Sequence, residues 1–590
     1  MQPSVTSPSR AINRVRWCFA AVVLVLGLFL VRSFYLQVIR HEYYRQAALS
    51  DQRKEYEIPA PRGLIKAHNG DDIVPIVLNQ KLYTVYADPA VVKKPDRIAS
   101  LLAAQLGGKA DDYQKQLKTP GTRYVVLAKK VTADQKAALL KPKYAGLAAT
   151  EVPYRTYPDG QLASQVLGFV NDNGMGVYGV EQALNRQLTG KAGELKAVTD
   201  INGVPLAANT DNVQTAPVAG QGVVLTIDVA MQQQLETILQ KGLKDAKSGS
   251  GSALIMDPNS GAIKAMANWP TFDPTNYADV SDPSVFNNAA VSSPLEVGSV
   301  MKPLTAAAAL DQGVITKDTS YDDPSTWKVD DFKITNIEED GGPGRRTIAD
   351  ILNLSLNTGA TWLLMQMSKP GGTQITDKGR TAWHNYMADH YRFGKLTGIE
   401  QGYEDPGIVP DPNDGYARDL TYANTTFGQA MTATPLQMGA AFSAIINGGT
   451  YYQPRLVDET LAPDGTATPK QPTVMVHNVV SPQVSKDMQS LLAYVVQKHY
   501  FKPAFDQDHY LVGGKTGTAQ IAKKGGGYLD NDFNGTYLGF VGGDRPQYVI
   551  VVRVNEPKVA GYAGTQAAQP IFASLGHMLI DNFGVTPKGQ

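Results

Sequence analysis

Gly298-Ser299-Val300-Met301-Lys302-Pro303, running into the alanine-rich Leu304–Leu310, is the stretch on which the reading of this chain turns. A serine and a lysine stand three residues apart where a glycine gives way to a helix-forming sequence. On a helix, positions i and i+3 share a face one turn apart, so the amine reaches the hydroxyl. A serine at a helix start also lies at the positive end of the helix dipole, beside backbone N–H groups without intrahelical partners. The pair is a nucleophile with its base at hand. Ser-x-x-Lys alone is a frequent coincidence, and its weight depends on what the rest of the chain supplies.

Acyl transfer through a serine also needs a proton relay, a stabilised oxyanion and an oriented substrate. Ser355-Leu356-Asn357, within Ile351–Ala360, sets a hydroxyl and a carboxamide two residues apart; by itself this is also ordinary turn chemistry. Lys515-Thr516-Gly517-Thr518 follows the strand-like His509–Gly514. On a strand Lys515 and Gly517 point one way and Thr516 and Thr518 the other, and the glycines let a substrate backbone come close. A second lysine near Lys302 favours a neutral amine there, as a base requires. Taken alone, the tetrad also fits an edge strand with a solvated lysine. All three stretches in this order are a much stronger signal than any one.

Composition narrows the setting. The chain has 590 residues, with 43% hydrophobic and 19% charged side chains, which is a globular composition with room for roughly three or four units. Lys+Arg and Asp+Glu both number 55, and a formal charge of zero gives no support to a nucleic-acid partner. The single cysteine, Cys18, leaves no disulfide and no thiolate metal site.

Met1–Arg16 carries Arg10, Arg14 and Arg16 and no acid. Trp17–Val31 is uncharged, Arg32 interrupts it, and Ser33–Ile39 continues it. Together they make about 23 residues, roughly 35 Å of helix, enough to cross a bilayer. Arg32 can snorkel to the headgroups, and the leading arginines place the N-terminus in the cytoplasm. A cleaved signal fits less well, since Arg32 and Phe34-Tyr35-Leu36 occupy the place of a small-residue cleavage site. The expectation is an uncleaved single-pass anchor in the cytoplasmic membrane, with everything after residue 40 outside it.

The remaining chain reads as a cytoplasmic tail (1–16), an anchor (17–39), an α+β module (40–219) and a catalytic domain (220–585). His41–Tyr56 reads as the anchor helix emerging into solvent, and 63–70 as a turn with a hairpin bend at Asn69-Gly70. Glu181 is an expected ion-pair partner of Arg62 or Arg155, and Asp200–Gln221 an expected linker or hairpin. Val223–Ile227 reads as a strand, with Asp228 capping a helix to about Ala246. Ser252–Met256 and Ala262–Ala267 form a hairpin. Helices are expected over 346–367 and much of 379–392, and strands over 509–514, 536–541 and 547–555. Strands at both ends with helices between them suggest one antiparallel sheet covered by helices.

Ser299-x-x-Lys302, Ser355-x-Asn357 and Lys515-Thr516-Gly517 together closely resemble the penicillin-binding protein and serine β-lactamase superfamily. Phe34–Val38, Pro61-Arg-Gly63, Gly179-Val-Glu181, Leu225–Asp228, Phe427-Gly428-Gln429, Thr434–Gln437 and Ala567–Phe572 look like the class B penicillin-binding proteins. The resemblance implies an α+β architecture: transmembrane helix, elongated pedestal or dimerisation-like module, and β-lactamase-like transpeptidase domain. It implies a monofunctional D,D-transpeptidase that crosslinks peptidoglycan stem peptides, is trapped by β-lactams, and needs no metal or cofactor. It implies catalysis by Ser299, Lys302 and Ser355, and an oxyanion hole from the backbone N–H groups of Ser299 and Thr518. Asn357, Lys515, Thr516, Gly517 and Thr518 would bind substrate. Implied partners are a SEDS-type glycan polymerase and other divisome or elongasome membrane proteins, with the septal role favoured. The sequence departs from the family at Val297, usually proline, and at Lys66-Ala-His-Asn-Gly70. A D,D-carboxypeptidase or β-lactamase shares the chemistry, and a non-enzymatic sensor or scaffold is the reading from another class.

Overall fold

The computed structural model describes residues 9–198, 213–336, 342–523 and 527–589. Residues 1–8 of the expected tail and 199–212 of the expected linker lie outside the described residues. The chain forms two compact units, Met1–Ala60 with Lys191–Val218, and Pro61–Gly190 with Ala219–Gln590.

The first unit starts with helix Ser9–Phe34, a π-helical turn over Tyr35–Ile39, and helix His41–Gln52. Arg14–Ile39, of mean hydropathy 2.3, is the one stretch among the described residues long and apolar enough to cross a membrane. No protein covers Trp17, Phe19, Leu24, Leu28 or Phe29, the pattern of a lipid-facing span. Strands Arg53–Ile58, Gly193–Val198 and Val213–Thr215 make a three-stranded antiparallel sheet. The expected continuation of helix through Tyr56 is therefore corrected: it stops at Gln52, and the alternating sequence Arg53–Ile58 pairs as a strand.

In chain order the second unit begins with strands β1 (Ile65–Asn69), β2 (Asp72–Ala87), β3 (Val125–Val131) and β4 (Leu147–Thr156). There follow β5 (Gly222–Asp228), helix α1 (Val229–Asp245), the hairpin β6 (Ser250–Met256) and β7 (Ile263–Trp269), and helices α2 (Lys302–Asp311), α3 (Ile348–Asn353) and α4 (Asn357–Ser368). Strands β8 (Val457–Leu461) and β9 (Ala467–Pro469), helix α5 (Pro482–Lys498), strands β10 (Leu511–Ala522), β11 (Tyr528–Gly542) and β12 (Pro546–Asn555), and helix α6 (Gln569–Asn582) complete it.

Two sheets organise this unit. The first runs β9-β8-β5-β1-β2-β3, with β4 also on β2; β1 and β5 pair in parallel, the rest antiparallel. Its strands come from both 61–190 and the C-terminal part, so those segments fold together. Residues 65–69, expected within a turn, are a strand, and the hairpin bend tightens to Gly70-Asp71. Ile65 and Ala67 are buried while Lys66 and His68 are not, the two-residue period of a half-covered strand. His68 Nε2 lies 3.0 Å from Asp458 Oδ2 on β8. Asp228 works at both ends of a junction: Oδ1 accepts the Met231 N–H at 2.9 Å and caps α1, as expected, while Oδ2 accepts the Gly70 N–H at 2.9 Å.

The second sheet is antiparallel, in the order β7-β6-β12-β11-β10. Successive residues of its strands enter different cores. Ala253, Ile255, Ile550 and Val552 pack with Met231, Leu235 and Leu239 of α1 and Phe572, Leu575 and Leu579 of α6. Leu254, Met256, Val549 and Val551 pack with Leu304 and Ala306–Ala309 of α2 and Leu363 of α4. A sheet covered on both faces needs near-continuous apolar strands, which Ser252–Met256 and Tyr548–Val552 supply. Every residue from Lys302 to Leu310 is buried, so the alanine run lets α2 sit at the centre with no solvent face.

Glu181 proves to be the partner of both arginines named from the sequence. Its Oε2 accepts from Arg62 Nε and its Oε1 from Arg155 Nε, each at 2.8 Å, and the carboxylate is fully buried. Arg62 also donates to Asn185 Oδ1 and Thr189 Oγ1, and Arg155 to Asn79 Oδ1 and the Gly63 carbonyl. Glu181→Gln leaves two buried guanidiniums without a counter-charge, and we expect a loss of about 3–5 kcal/mol, read as a lower denaturant midpoint of the full chain in detergent.

Candidate active site

Ser299 sits in a single 3₁₀ turn, Gly298–Met301, and Lys302 is the first residue of α2. The sequence placed the serine at the start of an α-helix; the tighter turn brings residues i and i+3 almost into eclipse, which aims the amine at the hydroxyl more directly. Lys302 Nζ is 2.9 Å from Ser299 Oγ. The turn is held from outside. Gly298 has φ +67°, and a β-carbon on it would stand 2.8 Å from the Thr518 carbonyl oxygen of β10. Gly428 has φ +80°, its carbonyl accepts the Gly298 N–H at 3.0 Å, and a β-carbon on it would meet the Gly298 oxygen at 2.2 Å. Only glycine satisfies both positions.

The expected helix over 346–367 is broken, and the break is the second motif. Thr347 starts α3 with a capping box, α3 stops at Asn353, and α4 starts afresh at Asn357. Between them Ser355 adopts φ +58°, a left-handed conformation costly for a residue with a β-carbon and typical of functional sites. That kink sends the Ser355 side chain back toward α2. Lys302 Nζ is 3.0 Å from Ser355 Oγ and 2.9 Å from Asn357 Oδ1, and it also donates to the Ser355 carbonyl. Asn357 Nδ2 donates to the Thr335 carbonyl at 3.2 Å, so the carboxamide oxygen is the atom turned to the lysine. Lys302 is fully buried.

The third motif forms the exposed edge of the five-stranded sheet, since β10 pairs only with β11. The expected strand 509–514 extends to Ala522, because alternation continues through the motif: Lys515, Gly517 and Ala519 face inward, and Thr516, Thr518 and Gln520 outward. Gly517 lies against Val297 and Thr536 without room for a side chain. The Lys515 amine curls back to the Thr516 carbonyl at 3.0 Å, and Thr518 Oγ1 accepts the Gly564 N–H at 3.0 Å.

All three motifs open on one cavity of about 500 Å³, lined by Ser299, Ser355, Asn357, Lys515, Thr516 and Thr518. Its other walls are Asn353 and Leu354 beside the second motif, Phe427 and Gln429 from the Gly428 loop that the family resemblance includes, and Lys498, His499, Tyr500, Tyr562 and Thr565. Sequence reasoning gave the last five no role, because they carry no motif-like spacing to the three stretches. Burial pulls the His499 imidazole below its ordinary pKa, with the Lys515 charge adding to it. Among the described residues Lys498 and Lys515 line the cavity and no aspartate or glutamate does, so its field favours an anionic end on the ligand. Among the described residues no group of three or more His, Cys, Asp or Glu is placed to hold a metal ion.

The residue before the turn, Val297, has φ −81° and ψ −16°, and its carbonyl accepts the Thr536 hydroxyl at 3.0 Å. Proline reaches that φ and keeps the carbonyl. Among the described residues no partner for the Val297 N–H is found. Val297→Pro is therefore expected to shift stability by less than about 1 kcal/mol and leave acylation within a few-fold, measured by thermal unfolding and penicillin labelling.

A serine within hydrogen-bond reach of a buried lysine, a second serine beside both, and the exposed edge of a strand on the same cavity form an arrangement suited to serine acyl transfer. The description "Penicillin binding protein transpeptidase domain" matches residues 251–576, and "Penicillin-binding Protein dimerisation domain" matches residues 57–225. The chain is 31% identical to Stage V sporulation protein D of Bacillus subtilis over 577 residues, covering 96% of this chain and 85% of that protein. It is 24% identical to peptidoglycan D,D-transpeptidase FtsI of Escherichia coli over 585 residues, covering 98% and 93%. Penicillin-binding protein 2X from Streptococcus thermophilus superposes with a TM-score of 0.71 at 24% identity, over 90% of this chain and 81% of that one. The chain belongs to the class B penicillin-binding proteins, with a transpeptidase domain and a dimerisation domain.

Proposed function

We propose that this protein is the D,D-transpeptidase that crosslinks peptidoglycan stem peptides at septation, with Ser299 as nucleophile. The observation that carries the reading is the Lys302 amine: two of its partners, the Ser355 carbonyl and Asn357 Oδ1, can only accept. A neutral amine donating to both keeps its lone pair for the Ser299 hydroxyl proton.

The steps follow from that arrangement. The stem peptide lies along the free edge of β10 as an added strand. Its terminal carboxylate meets Lys515 and the hydroxyls of Thr516 and Thr518; Thr518 Oγ1 already accepts from Gly564, so its own proton points to the ligand. Gly517 lets this edge pack closely on the Ser299 turn at Val297, which places the peptide beside the nucleophile, and Asn357 Nδ2 holds the peptide. Ser299 Oγ attacks the carbonyl of the penultimate D-alanine as Lys302 takes its proton. Negative charge develops on the carbonyl oxygen between the backbone N–H groups of Ser299 and Thr518. The proton passes through Ser355 to the leaving nitrogen, the peptide bond breaks, and D-alanine departs. The amine of a neighbouring stem peptide then attacks the acyl-serine ester, forms the crosslink, and returns a proton to Ser299. All these steps use groups of this chain and its substrates. A β-lactam, whose ring amide mimics the scissile bond, acylates Ser299 by the same first step.

A donor pentapeptide and an acceptor amine, followed by mass spectrometry, should yield one D-alanine released per crosslinked product. Release matched only by hydrolysed donor would point to a carboxypeptidase, and penicillin turned over within minutes to a β-lactamase. An adduct with no turnover of any peptide would leave the sensor or scaffold reading.

The same proposal assigns residues 1–16 to the cytoplasm, 17–39 to the membrane, 40–219 to a pedestal and 220–585 to catalysis on the outer side. Support comes from the exposed apolar helix and its leading arginines; alkaline phosphatase fused after residue 60 should be active. Because crosslinking must accompany strand synthesis, the pedestal is assigned a membrane-embedded SEDS-type glycan polymerase as partner. Deleting residues 10–150 should abolish co-purification. Depletion should give filaments; rounded cells would assign the protein to elongation.

A further inference from the structure

A second cavity, of about 330 Å³, lies by β7, the sheet edge opposite β10, and shares no lining residue with the first. The two edges of a five-stranded sheet stand about 19 Å apart. One wall is a single face of α1: Gln233, Glu236, Thr237 and Gln240, at i, i+3, i+4 and i+7. The other wall carries Trp269 at the end of β7, with Leu162 and Ala267 beside it and Asp159 at the rim.

The carboxylate is built in, while Gln233, Thr237 and Gln240 stand exposed on the helix face. Glu236 Oε1 accepts the Ala163 N–H and the Gln232 amide, both at 2.8 Å. Gln232 is in turn locked to the Met266 backbone of β7, donating to its carbonyl and accepting its N–H, each at 2.8 Å. Glu236 is thus held in place with Oε2 left for a ligand. The side chains of Gln233 and Gln240 make no hydrogen bond among the described residues. Among the described residues no lysine, arginine or histidine lines the cavity, so a phosphate or carboxylate finds no counter-charge among them, and the two acids repel one.

Amide donors and acceptors along one wall, a fixed carboxylate oxygen, an indole and small apolar side chains together fit a neutral, many-hydroxyl ligand with a flat apolar face and a methyl group. We propose that this cavity binds a neutral N-acetylated sugar unit, and so holds the glycan strand of the substrate whose peptide is processed at Ser299. The choice of an acetylated amino sugar rests on the reading of this chain as a peptidoglycan transpeptidase; the polar, anion-excluding chemistry of the cavity does not.

The test uses the full chain in detergent micelles and the trimer of N-acetylglucosamine as probe, followed by tryptophan fluorescence and by equilibrium binding. Saturable binding is expected, with a fluorescence change that disappears in Trp269→Phe. Gln233→Ala and Gln240→Ala, both on the exposed helix face, should each weaken binding about fivefold, the loss of a hydrogen bond. Penicillin labelling of Ser299, measured in the same samples, should not change. Absence of saturable binding, or affinity untouched by all three variants, would overturn the proposal while leaving the transpeptidase reading intact if labelling persists. Binding only of the de-acetylated, protonated trimer would overturn it in favour of a cation site. Loss of penicillin labelling in the unaltered protein would instead count against the activity.

Discussion

Ser299→Ala is expected to abolish covalent capture of a fluorescent penicillin and to lower crosslinking by on the order of 10⁴-fold or more, as loss of the nucleophile does in enzymes of this kind. The substitution removes one oxygen from a turn held by backbone contacts to Gly428 and β10, so the fold should survive, and an unchanged unfolding temperature separates lost chemistry from lost structure. Weak reversible binding should remain, because Asn357, Lys515, Thr516 and Thr518 still line the cavity. Intact-mass measurement is decisive. An adduct of unchanged stoichiometry on the alanine protein would place the nucleophile elsewhere.

The second large effect is expected at Lys302→Met, which keeps the unbranched stem of the side chain and removes the amine. Without a positioned base, acylation should fall by on the order of 10²–10⁴-fold. The residual rate should rise steeply with pH, since hydroxide must then take the Ser299 proton. Stability should fall as well, by about 1–3 kcal/mol, because the Ser355 carbonyl and Asn357 Oδ1 lose the donor they share. The two losses are separable: stability is read from unfolding of the unmodified protein, and the base from the pH profile of penicillin acylation. A wild-type profile in the methionine protein would remove Lys302 from the proton path.

Much of this was legible in the chain before any coordinates. The hairpin of β6 and β7 and the Asp228 cap of α1 follow signals only a few residues long, and the structure reproduces them closely. Glu181 reads from the sequence as a partner of Arg62 or Arg155, and the fold pairs it with both. The failures are equally local in origin. Residues 65–69 looked like a turn because Gly63 and Asn69-Gly70 outweighed a short Ile-Lys-Ala-His alternation, until β2 and β5 paired on either side. The stretch 346–367 reads as helix from its apolar residues although Asn353, Ser355, Asn357 and Gly359 favour a helix only weakly, and that pattern does not say that Ser355 takes φ +58°.

By itself the sequence named the residues to which the proposed chemistry is assigned, because a nucleophile and its base must be held at short, fixed spacing: Ser299 with Lys302, Ser355 with Asn357, Lys515 with Thr516 and Thr518. It also determined the anchor, whose length and lack of charge are set by the bilayer. Only the tertiary structure decided how these pieces meet. Gly428 pressed on Gly298, the break between α3 and α4, and the free edge of β10 are contacts between segments more than a hundred residues apart or conformations imposed by them. They arise from close packing around a fully buried α2, and packing of that kind leaves no period in the sequence.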